Sequence, residues 1–232
     1  MTSLLLLSGG AAQGLVTQLQ DRFQAQHRCS IKASFGAVGM MKDSLLAGSP
    51  CDVIILTEAL IAQLTVSGDV IAGSARALGV VKTAIAGKDG EAPVLMDSPA
   101  ALKAALQAAR GIYFPDPVKA TAGIHFMNVL RQLGLESELA GRLRPYPNGA
   151  AAMKAMAEAA GAGLLGCTQV TEILYAAGVQ LVAPLPVEFE LATLYSAAVS
   201  SRAAQPDAAH ALIDLLAGAE SAALRLACGF EP

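Results

Sequence analysis

Short runs of consecutive apolar residues alternate along the chain with longer stretches whose apolar positions recur every three to four residues. The first run, Leu4–Leu7, reads as a buried strand and is turned by Ser8-Gly9-Gly10. Leu15, Leu19 and Phe23 then mark a helix face to about Gln26. Ser30–Phe35 alternates as a second strand, Gly36-Ala37-Val38-Gly39 is a small-residue turn, and Met40–Leu46 is a helix ending at Gly48. Asp52–Leu56 is a third buried strand, followed by Thr57 and a helix from Glu58 to Leu64. Three strand–turn–helix units in a row predict right-handed crossovers and a parallel sheet covered on both faces.

The same device recurs further on. Leu78–Ala86 is a longer β-branched strand, with a turn at Lys88-Asp89-Gly90. Ser98-Pro99 opens a helix to about Ala109, with proline suited to its first position. Ile112-Tyr113-Phe114 is a short strand stopped by Pro115, Asp116 and Pro117, because proline removes ladder donors. Thr121-Ala122-Gly123 opens a helix carrying Ile124, Met127, Leu130 and Leu133. Leu143–Tyr146 is a strand ending at Pro147-Asn148-Gly149, and a helix with Met153 and Met156 follows. Gly163–Cys167 is a strand, and Thr168-Gln169 leads into a helix to Ala177. Gln180–Val182 leads to Pro184-Leu185-Pro186. Leu191–Ser200 is a strand, Pro206 opens a helix through Leu216, and Glu220–Cys228 is the last helix. The expected fold is α/β in two lobes, 1–83 plus 187–232 and 84–186, with mainly parallel sheets. The chain would cross near Val81-Lys82-Thr83 and again near Pro186–Phe189.

Composition narrows the classes. In 232 residues, 54% are hydrophobic and only 15% charged, which excludes a disordered chain. The net charge of −3, with scattered Lys and Arg, gives no nucleic-acid surface. Cys29, Cys51, Cys167 and Cys228 form no CxxC pair, and His27, His125 and His210 have no metal spacing, so neither a metal nor a cofactor is expected. The cysteines read as small buried hydrophobes. No apolar run reaches the roughly 18 residues of a membrane span. No basic start, long apolar stretch and cleavage site precede the first strand, so the sequence as written is expected to be cytoplasmic, or periplasmic if it is a processed form.

In such sheets ligands lie beyond the carboxyl ends of the strands, at the turns into the helices. Helix starts there present unpaired N–H groups and the positive dipole end, which suit an anion. The candidate ligand-binding residues are therefore Ser8, Gly9, Gly10, Gly36, Ala37, Val38, Gly39, Thr57, Thr121, Ala122, Gly123, Asn148, Thr168 and Gln169, expected in a cleft between the lobes. A Gly123→Asp change is expected to abolish binding while the fold survives.

The segments SFGAVGMMKDSLLAGSPCDVIIL, FPDPVKATAGIHFMNVL, LLGCTQVTEIL and PDAAHALIDLLAGAESAALRLACGFEP resemble the molybdate-type periplasmic solute-binding proteins along nearly the whole chain. The motif Ala47-Gly48-Ser49-Pro50-Cys51-Asp52-Val53 is moderately specific for them. The resemblance implies a type II periplasmic-binding-protein fold, a small anionic ligand and, if the protein is exported, an ABC permease as partner. In that family serine hydroxyls and backbone N–H groups hold an oxyanion, with a tyrosine in many members. Those positions fall here near Gly10, with Ser8 as a possible substitute, on Val38, on Ala122 followed by Gly123, near Asn148–Ala150, and near Thr168 or Gln169. The backbone donors survive and the hydroxyls have largely gone. The expectation is weak or absent molybdate binding, and a di- or tricarboxylate that uses Thr121, Asn148, Thr168, Gln169 and Lys119.

Two functions compete. One is a binding protein of ABC-transporter type that closes on a small anion. The other is an isomerase of an unsaturated polycarboxylate on the same scaffold, since aconitate isomerase resembles these binding proteins. The second needs a general base. Asp116, Lys119, His125 and Glu172 are the candidates near turns, and capping or solvation is the plainer role for each.

Overall fold

The computed structural model describes residues 2–92 and 95–232. In chain order the elements are β1 (Thr2–Gly9), α1 (Gln13–His27), β2 (Cys29–Gly36), α2 (Val38–Leu46), β3 (Val53–Thr57), α3 (Glu58–Val66), β4 (Arg76–Lys88), α4 (Pro99–Ala108), β5 (Gly111–Pro115), α5 (Thr121–Gln132), α6 (Glu136–Leu139), β6 (Leu143–Tyr146), α7 (Gly149–Glu158), β7 (Leu164–Gln169), α8 (Val170–Tyr175), β8 (Val179–Pro184), β9 (Ala192–Val199), α9 (Pro206–Ala217) and α10 (Ala222–Ala227). One compact unit runs to Val81 and resumes at Thr193; the other is Lys82–Ala192.

In the first unit β1 is central and parallel to both β2 and β3, so Gly9 lies beside Gly36 and Ser8 beside Ile55. β9 runs antiparallel to β3, opposing Tyr195 to Thr57. The core is aliphatic: Leu15, Leu19 and Phe23 of α1 and Leu212 and Leu216 of α9 pack with Ile54, Ile55 and Leu56 of β3. Asp52 of the Pro-Cys-Asp-Val motif is buried and ties this unit together. Its carboxylate accepts from the N–H of Leu5 at 2.7 Å and of Gln205 at 2.9 Å, joining β1 to the start of α9.

In the second unit β5 is parallel to β6 and β7, while β4 is antiparallel to β7 and β8. Phe114 and Phe126 meet edge to face at 5.3 Å and dock α5 on β5. Met153 and Met156 of α7 fill the other face with Ala84 and Ala86. Ser98 caps α4 by accepting from the Ala101 N–H, and Pro99 takes the first helical position.

Each unit adds antiparallel strands to the parallel ones. The apolar runs of β4 and β9 could not reveal this, because a strand's own pattern does not encode pairing direction. The short helix α6 was also missed, since four residues carry no period. The last helix is broken: a 3-10 turn at Ala219–Ser221 precedes α10. The helix after Gln169 stops at Tyr175 rather than Ala177. All four cysteines are buried. Burial pushes the Cys51 thiol up to about 11 and raises Cys167 further, so neither is a thiolate at neutral pH.

Candidate functional site

The carboxyl ends of β1, β2 and β3 lie side by side and bring together three of the expected turns. Ser8 is fully buried, and its hydroxyl donates to the Gly9 carbonyl at 2.8 Å. Gly10 opens a 3-10 turn that leads into α1. Ala37 is the extended residue before α2, and the first helical bond runs from Met41 N–H to its carbonyl. The N–H groups of Val38 and Gly39 therefore have no partner within the helix. The Val38 side chain is 7% exposed and packs in the core. A Cβ on Gly9 would stand 2.8 Å from Val38 Cγ1 and 3.4 Å from Tyr195 Cε1, and one on Gly36 would stand 2.8 Å from Met41 Cε. These glycines admit close packing of the turns. Thr57 precedes α3, and the next residue, Glu58, has its carboxylate hydrogen-bonded by the Ser196 hydroxyl. An acidic group thus already serves the start of α3.

In the second unit the starts of α7 and α8 share one carboxylate. Glu172 is 5% exposed. It accepts from the Thr168 hydroxyl and from backbone N–H groups of Gly149, Gln169 and Ala150. The bond back to Gln169 is the acidic half of a capping box on α8, and the other two backbone donors are the first N–H groups of α7. Burial nonetheless outweighs these four hydrogen bonds and raises the Glu172 carboxyl above its usual value. Gly149 is required here: a Cβ would lie 2.0 Å from Glu172 Oε2 and 2.1 Å from Thr168 Oγ1. Asn148 caps α7, with its Oδ1 accepting from the Ala151 N–H at 2.8 Å. The donors read as free for a ligand near Asn148–Ala150 are thus engaged by the protein's own side chains.

The start of α5 corrects one expectation. Gly123 is buried against the preceding turn, and a Cβ there would fall 2.3 Å from the carbonyl oxygens of both Pro115 and Asp116. Gly123→Asp therefore cannot leave the fold intact, and the residue is needed for packing of α5. Ala122 is buried beside it, while Thr121 is half-buried at the first helical position.

Three of the acid–base candidates hold structural bonds. Asp116 accepts from the N–H groups of Val118 and Lys119 at 2.7 and 2.8 Å and closes the turn. His125 Nε2 donates to the Phe189 carbonyl at 2.7 Å. Glu172 is the double cap. Lys119 is exposed.

Sequence reasoning missed Thr83 and Thr171. Both hydroxyls, and both ends of the Gln169 amide, are buried without a hydrogen-bond partner. Thr83 lies opposite Gln169 in the ladder between β4 and β7. A threonine inside a strand, as Thr83, or inside a helix, as Thr171, gives no signal of its own. Among the described residues no group of His, Cys, Asp and Glu could hold a metal, and no helix is long and apolar enough to cross a membrane. The chemistry on offer in these turns is backbone N–H groups with neutral hydroxyl and amide side chains, which suit an acceptor-rich ligand.

The fold is that of the type II periplasmic-binding proteins. The periplasmic molybdate-binding protein of Azotobacter vinelandii superposes with a TM-score of 0.82 at 21% identity, covering 99% of both chains. The sulfate-binding protein of Mycobacterium tuberculosis gives 0.71 at 16% identity, over 100% of this chain and 87% of that one. Residues 4–231 match the family described as bacterial extracellular solute-binding protein, and the chain belongs to it. An aconitate isomerase from a Pseudomonas species is 25% identical over 240 residues, covering 100% of this chain and 88% of the relative.

Proposed function

We propose that this protein is a solute-binding protein for a small carboxylate, working with an ABC permease. Family membership supports the binding role. The observation that favours a carboxylate is the Glu172 cap, which engages the first two N–H groups of α7 and so withdraws neutral donors that a tetrahedral dianion would need. An oxyanion such as molybdate loses roughly 1–3 kcal/mol for each missing hydrogen bond. A carboxylate spreads its charge over two oxygens and needs fewer donors. Titration calorimetry against molybdate, sulfate and a series of mono-, di- and tricarboxylates tests this. The expected result is micromolar binding of a carboxylate and binding of molybdate at least about a hundredfold weaker, the sum of two lost hydrogen bonds. Sub-micromolar molybdate affinity without any carboxylate signal would sink the idea.

The likeness to an aconitate isomerase supports a second reading, catalysis on the same site. Against it, Asp116, His125 and Glu172 are occupied by structural hydrogen bonds. A proton NMR time course with trans-aconitate decides the matter. Steady turnover to the cis isomer would replace the binding reading.

A further inference from the structure

Thr83 and Gln169 oppose each other across β4 and β7. The N–H of Thr83 donates to the Leu191 carbonyl and its own carbonyl accepts from Leu185, so both main-chain groups point away from β7. The two residues therefore form a non-hydrogen-bonded pair, the close kind, with side chains on the same face of the sheet. They are 1% and 3% exposed. Yet Thr83 Oγ1, Gln169 Oε1 and Gln169 Nε2 have no hydrogen-bond partner, not even each other. Because both ends of the amide are orphaned, exchanging its nitrogen and oxygen changes nothing. Buried polar groups are nearly always paired, so this face is built for something that binds there.

What binds must satisfy both senses of hydrogen bond. A carboxylate only accepts, and would use Gln169 Nε2 and the Thr83 hydroxyl. Gln169 Oε1 would still lack a donor. A fully deprotonated oxyanion leaves it orphaned in the same way. A hydroxyl next to the carboxylate supplies the missing proton. We propose that Thr83 and Gln169 form a subsite that selects a hydroxycarboxylate over the same acid without its hydroxyl. This rests on the carboxylate reading above and refines it. A site that hydrogen-bonds a substrate hydroxyl rejects the analogue lacking it, because its own buried groups are then left unpaired.

The test uses pairs of acids that differ by one hydroxyl: lactate and propionate, malate and succinate, citrate and tricarballylate. Affinity is measured by calorimetry for the wild type, Gln169→Leu and Thr83→Val. In at least one pair the hydroxy acid should bind the wild type about tenfold tighter or more, the effect of one buried acceptor left unpaired. Gln169→Leu should bring that ratio to about twofold or less, by the same conversion. Thr83→Val keeps the side-chain shape and serves if the leucine variant does not fold; it should weaken both members of the pair. Gln169→Leu should also melt no lower than the wild type without ligand, since it removes orphaned buried groups. Equal wild-type binding of hydroxy and deoxy acids overturns the subsite and leaves the carboxylate reading standing; it is the result expected if ordered water fills the space. An unchanged ratio in Gln169→Leu likewise overturns the subsite. No binding by any of the six acids overturns the carboxylate reading itself.

Discussion

Gly123 shows how a residue's type can be legible while the neighbour that requires it is not. Glycine at the start of a helix allows close approach of a partner, and the sequence suggested that the partner was a ligand. The structure gives the place to the carbonyls of Pro115 and Asp116. Gly123→Ala should therefore destabilise the protein by about 1–3 kcal/mol, the usual cost of overpacking, and urea denaturation would measure it. Unchanged stability would show that α5 shifts freely on β5. Asp52 is a second case. It was part of a family motif, and its work is to accept from Leu5 and Gln205. Asp52→Ala orphans two main-chain donors at about 1–3 kcal/mol each. A midpoint within experimental error of the wild type in the same denaturation would contradict that account.

The helix pair α7 and α8 carries the clearest consequence for pH. Burial disfavours the charged form of Glu172 and raises its folded value above the ordinary 4.5. A raised carboxyl value means that the folded state holds its proton more tightly than the unfolded chain. The stabilisation is complete below about pH 4.5 and is lost as pH rises through the folded value. Wild type should therefore lose stability relative to Glu172→Gln as pH increases from 4.5, in thermal melts across a buffer series. A gap that moves in the opposite direction would mean that the hydrogen bonds from Thr168, Gly149, Gln169 and Ala150 outweigh burial. The helix start at Asn148 was legible, because a small polar residue before an apolar helix pattern is a start signal. The sharing of Glu172 was not, since it requires residues 149 and 172 to meet through the packing of α7 on α8.

At the scale of the whole molecule, binding should appear as stability. A ligand that binds only the folded protein at a hundred times its dissociation constant adds about 2.7 kcal/mol. In a thermal-shift screen of the acids above, the ranking of melting temperatures should follow the calorimetric ranking; a carboxylate that binds without raising the transition would mean that it binds the unfolded chain equally well. The sequence by itself determined the α/β class, the order of most strands and helices and the family, because periodicity, turn residues and capping are properties of neighbouring positions. It also marked the turns at Gly9, Ala37, Asn148 and Gln169 as places where donors gather. Tertiary structure decided which donors are spoken for. It placed β4 and β9 antiparallel, gave the N–H groups of α7 to Glu172, filled the space beside Gly123 with carbonyls and left Thr83 facing Gln169 without a partner. Each of these depends on residues that different elements bring together, whose pairing is set by packing and strand register, and no local pattern along the chain encodes that.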